Sequence, residues 1–161
     1  MARSKLASSS VVIVPNINII WNLIRAEMKK RIMVIDEAWW LMKYPDSAAF
    51  LFSLAKRCRK YYLGLTTITQ NVDDFLVSPY GRPIITYSAI QLLLKQAPAS
   101  IDVVAKTFNL SEAEKGLLLG ADVGEGVFFA GLQHVAIQII ASYFENKIIT
   151  TKPEELLEMK E

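Results

Sequence analysis

Asp36 and Glu37 are adjacent carboxylates that follow directly on the apolar run Ile32-Met33-Val34-Ile35. A continuous apolar run of this kind reads as a strand buried on both faces. In an open parallel sheet, ligands sit beyond the carboxyl ends of the strands, where a rigid edge fixes such side chains. This is the geometry of a Walker B element. The Asp holds Mg²⁺, usually through water, and the next carboxylate orients and deprotonates an attacking water. Gln70 closes the β-rich run "LGLTTITQ", residues 63–70, one helix later. If the two strands are neighbours, Gln70 projects beside the carboxylates and can hydrogen-bond a γ-phosphate or the water. Blander readings stand next to these. An acidic pair can simply open a loop or cap a helix, and a strand-end Gln can satisfy loop backbone.

The elements that must position these residues are legible as periodicities. "VVIV" (11–14) reads as a short strand stopped by Pro15. Ile17, Ile20, Trp21, Ile24 and Met28 recur at helical spacing up to Lys30. Pro45 and Asp46 open a helix with the stripe Leu51, Leu54, Ala55, Cys58 and Tyr62, and Lys56, Arg57, Arg59 and Lys60 on its other side. "VDDFLVSP" and "GRPIITYSA" read as short helices or turns, and "IQLLLKQ" (90–96) as a third strand. Ile101, Val104, Ala105 and Phe108 mark a helix ending at Asn109, a left-handed cap. Ser111 and Glu114 match a capping box for the next helix, which stops near Gly120. "GVFFAGL" and "HVAIQIIASYF" read as an antiparallel hairpin, and "KPEELLEMKE" as a terminal helix. Strands alternating with helices through residue 110 imply βαβ units and a mainly parallel sheet.

Bulk properties narrow the class. The 161 residues are 52% apolar and 21% charged, enough to bury a core and unlike a disordered chain. A net charge of +2 does not mark a nucleic-acid binder by overall electrostatics. Cys58 is the only cysteine, so no internal disulfide forms, and a reduced, cytosolic setting fits. No run reaches the roughly 20 apolar residues of a membrane span. "VVIV" also falls short of the roughly 7–15 residues of a signal-peptide core. The reading is a soluble or peripheral protein.

Other residues carry a sharp and a bland reading each. Arg82 is a candidate trans-acting arginine finger, although its neighbours Gly81 and Pro83 also make a plain turn with a solvated Arg. Lys95 and Gln96 end the third strand, on the sheet edge that would carry the carboxylates. The basic helical face can touch DNA phosphates or be solvated. Trp39 and Trp40 can stack on a base or pack on a helix. His134 has no Cys or His cluster around it to suggest zinc. Cys58 reads as a small buried residue rather than a nucleophile.

Taken in order, "KKRIMVIDEAWWLM", "TTITQNVDDFL", "IQLLLKQAP" and "FNLSEAEKGLLLGADVGEGVFFAG" resemble the C-terminal part of the ATPase domain of conjugative-transfer and type IV secretion ATPases, the VirB/TrbE/TraC-like group with a TraG-type P-loop domain. The resemblance covers roughly residues 17–145, and "IDEAW" and "TQNVDDF" are its most specific parts. It implies an α/β fold: part of a RecA-like P-loop NTPase core, with a mainly parallel sheet flanked by helices and a C-terminal antiparallel hairpin. It also implies ATP with Mg²⁺, with Asp36 as the Mg²⁺-associated carboxylate, Glu37 as the catalytic carboxylate and Gln70 as the sensor glutamine. Implied partners are further copies in a hexameric ring, secretion-channel proteins at the inner membrane, and DNA. The implied place is the cytoplasm, at the inner face of the membrane.

One departure matters. Such enzymes need G-x-x-x-x-G-K-[ST] ahead of the Walker B strand. Here no glycine precedes Gly64, and no Gly-Lys-Ser/Thr triplet occurs. "GADVGEG" (120–126) lacks the lysine and reads as a hairpin entry. The expectation is therefore one partial ATPase domain over residues 1–161, without a Walker A region. It has a loose start (1–16), an α/β core (17–145) and a tail (146–161). Two other classes stay open: a HerA/FtsK-like DNA-translocating ring ATPase fragment, and a non-catalytic, degenerate interaction module.

Overall fold

The computed structural model describes residues 19–149; the strand expected at 11–14 and the terminal helix expected after residue 151 lie outside them. The first helix, α1, occupies residues 19–27 and turns Trp21 and Ile24 inward. Trp21 meets Tyr61 edge to face, with centroids 5.0 Å apart. Met28, with φ 49°, takes the left-handed conformation that ends α1.

Strand β1 (Arg31–Ile35) pairs in parallel with β2 (Leu63–Thr67), in the register Arg31 to Leu63 through Ile35 to Thr67. The crossover between them holds α2 (Trp39–Met42), α3 (Pro45–Arg57) and a 3-10 turn (Cys58–Tyr61). Pro45 is pre-set for the first helical turn, Asp46 sits at the positive end of α3, and Lys56 and Arg57 sit at the negative end. Leu51 and Leu54 are buried, but the stripe stops before Tyr62. Tyr62 follows the 3-10 turn with φ 55°, and its ring faces solvent.

The expectation that β1 is buried on both faces fails. Met33 and Ile35 pack into the core, whereas Ile32 is 78% and Val34 59% exposed. The sheet is two-stranded here, and the helical crossover covers only one of its faces.

The remaining strands form a second sheet. β3 (Ile90–Leu94) pairs antiparallel with β4 (Glu125–Ala130), and β4 with β5 (Gln133–Gln138). The C-terminal hairpin is as expected, but β3 joins the hairpin and not the parallel pair. Gly126 permits that close pairing, since a Cβ there would run into the Leu93 carbonyl. Gly124, with φ 85°, faces the Ile139 carbonyl in the same way.

Two helices cover this second sheet. α6 (Ile101–Phe108) ends on left-handed Asn109, φ 53°, and α7 (Glu112–Gly120) opens with the expected capping box. Val104, Leu118, Val127 and Phe129 form their shared core. α4 (Val72–Leu76) joins the two cores, sending Val72 into one and Phe75 into the other. α5 (Gly81–Tyr87) packs beside it, and α8 (Tyr143–Ile149) closes the described chain.

Glu114 ties the start of α7 to β5. Its carboxylate accepts from the Ser111 N–H at 2.7 Å, from the Ser111 hydroxyl at 2.7 Å, and lies 2.7 Å from His134 Nδ1 on β5. The Ser111 backbone bond first, then the Ser111 hydroxyl and His134, hold this carboxyl below the ordinary value of 4.5. A lowered folded pKa means the stabilisation is complete above about 4.5 and is lost as pH falls through the folded value.

Two outcomes follow. Glu114→Gln should cost about 0.3–1 kcal/mol at neutral pH, and the gap between wild-type and variant melting temperatures should close on acidification; a gap independent of pH contradicts the linkage. The exposed apolar face of β1 should drive self-association. Ile32→Lys should raise the concentration at which light scattering detects it. A wild-type chain that stays monomeric at high concentration contradicts this.

Candidate functional site

Asp36 and Glu37 leave β1 at its carboxyl end, and the parallel ladder runs on past them. Ile68 N–H donates to the Ile35 carbonyl at 2.9 Å, and Ala38 N–H donates to the Ile68 carbonyl at 2.8 Å. The two carboxylates are therefore held in a tight loop between two backbone bonds to the same residue. Asp36 is exposed and accepts the Glu37 N–H on Oδ1 at 2.9 Å. Glu37 is half-buried, and its φ of 51° is left-handed, which is rare for a residue with a side chain. Its Oε2 accepts the indole N–H of Trp39.

Neither carboxylate caps α2. The N-cap is Ala38, and no side chain bonds the free N–H groups there. The bland reading of the pair as a helix cap is thus excluded. Asp36 offers an oxygen beyond the sheet edge, a hard donor of the kind Mg²⁺ takes. An open depression of about 400 Å³ takes in the pair, but the apolar Ile20, Met33, Val34, Ile35, Trp40 and Leu41 make most of its wall. That apolar wall brings no phosphate donors, so the carboxylate edge is the chemically informative feature.

β1 and β2 are neighbours, which was the condition for bringing Gln70 to the same edge. Gln70 is not the last strand residue, however: β2 ends at Thr67, and Gln70 follows in an exposed bend before α4. Arg82 lies in the first turn of α5, not in a plain turn, and is exposed. Gly81 is required there, because a Cβ would run into the Phe75 carbonyl. Lys95 and Gln96 follow β3 in the other sheet, so they do not share the edge of Asp36. Gln96 instead donates from its backbone to the Leu118 carbonyl at 3.0 Å.

Lys56, Arg57, Arg59 and Lys60 are all exposed, with Arg57 donating to Ser53 Oγ at 2.7 Å. Cys58 is half-buried, and its thiol donates to the Ala55 carbonyl at 3.4 Å. His134 stacks near Phe129, with centroids 4.2 Å apart. Sequence reasoning missed Trp39. The tryptophan pair reads as packing or a base platform, yet the Trp39 N–H engages Glu37. The signal available was the spacing, since a donor two residues past a loop Glu can reach back to it.

Comparison with known proteins gives the family and the fold. The model of the TraG P-loop domain family matches residues 4–144. The structure of VirB4 of Thermoanaerobacter pseudethanolicus aligns with TM-score 0.73 and 40% identity over 79% of this chain and 36% of that chain. This chain thus spans about a third of that VirB4 chain. The genome packaging NTPase B204 from Sulfolobus turreted icosahedral virus 2, solved in complex with ATP-gammaS, aligns with TM-score 0.55. Its 15% identity, over 77% of this chain and 62% of that one, shows likeness of fold alone. No curated protein matches the sequence.

The left-handed Glu37 has a testable cost. A β-branched residue suffers there and glycine does not. Glu37→Val should be less stable than Glu37→Gly by about 1–2 kcal/mol in urea denaturation. Equal stability of the two variants contradicts the backbone geometry.

Proposed function

Since the chain belongs to the TraG P-loop domain family, we propose that it is the C-terminal portion of a motor ATPase domain serving conjugative DNA transfer or type IV secretion. The observation that supports this is the parallel β1–β2 pair, whose carboxyl ends lead directly into Asp36 and Glu37 and, three residues past Thr67, into Gln70. In this reading Asp36 would hold Mg²⁺ through water, and the ion would supply charge neutralisation for the phosphates of ATP. Glu37 accepts the proton of the attacking water on its carboxylate. The Gln70 amide orients that water, and its exposed bend leaves it free to do so. Arg82, exposed at the start of α5, is a weaker candidate for completing a neighbouring subunit's site in a ring.

The partners in this proposal are further copies of the chain in a hexamer, secretion-channel proteins and DNA, at the inner face of the membrane. Among the described residues, no helix is long and apolar enough to cross a membrane. The VirB4 likeness supports the secretion setting, at 40% identity.

The sequence offers no Gly-Lys-Ser/Thr triplet, so a nucleotide at this edge lacks the usual cradle of backbone N–H groups and lysine. The chain alone then binds Mg²⁺-ATP weakly and hydrolyses it negligibly. A second reading is a non-catalytic interaction module.

A fluorescent-ATP titration decides between them. The proposal expects a Kd of about 1 mM or weaker, dependent on Mg²⁺ and lost in Asp36→Ala. Micromolar binding with turnover abolished by Glu37→Gln contradicts the weak-binding claim. No Mg²⁺-dependent binding, or binding unchanged in Asp36→Ala, overturns the nucleotide assignment and leaves the interaction module.

A further inference from the structure

The Glu37 carboxylate is held by a side chain that the family assignment does not explain. We infer that Trp39 is a positioning residue for Glu37. Its indole N–H binds Oε2 and leaves Oε1 outside that bond. This deepens the reading of Glu37 as the water-facing carboxylate and rests on it.

Four observations carry the inference. Glu37 is left-handed, φ 51°, a conformation that persists only where surroundings over-determine it. Its backbone is clamped on both sides, since Ile35 and Ala38 each bond Ile68 while the Glu37 carbonyl accepts the Trp40 N–H at 2.9 Å. The carboxylate takes the indole N–H and does not cap α2. Finally, the indole is itself braced. Trp39 stacks on Trp40 with centroids 5.4 Å apart and planes 28° from parallel, and Lys43 Nζ lies 4.2 Å from one ring and 4.7 Å from the other. Leu41 and Met42, buried in the core, anchor the helix that carries the pair.

The chemistry follows from this geometry. An indole N–H is a donor only and stays neutral, so it fixes a carboxylate without taking its proton. A bond to one oxygen restricts rotation about the last side-chain torsion, which is otherwise broad for Glu. The remaining oxygen then keeps one direction. General-base catalysis depends on such alignment within hydrogen-bond reach of the water. A merely packed tryptophan needs no donor aimed at the carboxylate.

NMR on the whole chain tests this with no nucleotide present. In a ¹⁵N-labelled sample the Trp39 indole resonance is assigned by its loss in Trp39→Phe. In Glu37→Ala it should shift upfield, while the Trp21 and Trp40 indoles stay in place. In Trp39→Phe the Glu37 side-chain carboxyl ¹³C resonance should move toward the value of a free glutamate, while Trp40→Phe leaves it near the wild-type position. A Trp39 indole unmoved in Glu37→Ala, or a Glu37 carboxyl unmoved in Trp39→Phe, overturns the proposal. If Trp39→Phe fails to fold, Trp21→Phe and Trp40→Phe assign the Trp39 indole by elimination, and the Glu37→Ala spectrum still decides. A Mg²⁺-ATP titration of the same wild-type sample reads the nucleotide assignment separately, so failure of either is seen without the other.

Discussion

The site depends on one backbone arrangement: the parallel ladder between β1 and β2 continues past the end of β1 through Ile68. Ile68 donates to Ile35 and accepts from Ala38, so residues 36 and 37 are bridged by two bonds to one partner. A parallel pair without that extension would let the loop splay and the carboxylates wander. With it, the loop is short, Glu37 is driven into a left-handed turn, and Asp36 is left at the rim. The crossover helices bury Leu51, Leu54 and Leu41 against one face of the pair, so hydrophobic burial holds the ladder that holds the site. Loss of a large side chain such as Leu51 from this core belongs to the class of changes that cost about 2–5 kcal/mol.

The second sheet stands apart in hydrogen bonding but not in packing. α4 follows directly on the Gln70 bend and divides its apolar residues between the two cores. The bend that carries Gln70 and the helix that ties the two cores together are thus neighbours in the chain. The α/β arrangement, RecA-like by its match to VirB4, thus places the candidate residues Asp36, Glu37 and Gln70 in loops and its rigidity in the sheet beneath them.

Much of this was legible in the sequence because it is written in local chemistry. Asn109 as a left-handed cap, the Ser111–Glu114 box and Pro45 at the start of α3 are rules about neighbouring residues, and each holds. What was not legible is set by partners distant along the chain. Ile32 and Val34 look as apolar as Met33 and Ile35, and nothing local says that one face of β1 stays uncovered. The run 90–96 has strand composition, but composition does not say which sheet it joins; Gly126, more than thirty residues later, permits that pairing. At the site, the Asp-Glu pair and the neighbouring strand were readable. The bend that carries Gln70 beyond Thr67 was not, nor was the indole that reaches back to Glu37.

The central claim is that residues 36–39 and the Gln70 bend form one nucleotide-facing edge. The most direct measurement is the backbone amide spectrum of the whole chain, followed while a non-hydrolysable ATP analogue and Mg²⁺ are added. The account predicts that amides at 36–39 and at 68–71 shift together along one saturating curve, with the hairpin at 125–138 unmoved. Shifts confined to the basic residues 56–60 or to the hairpin, or shifts at 36–39 with none at Gln70, contradict it.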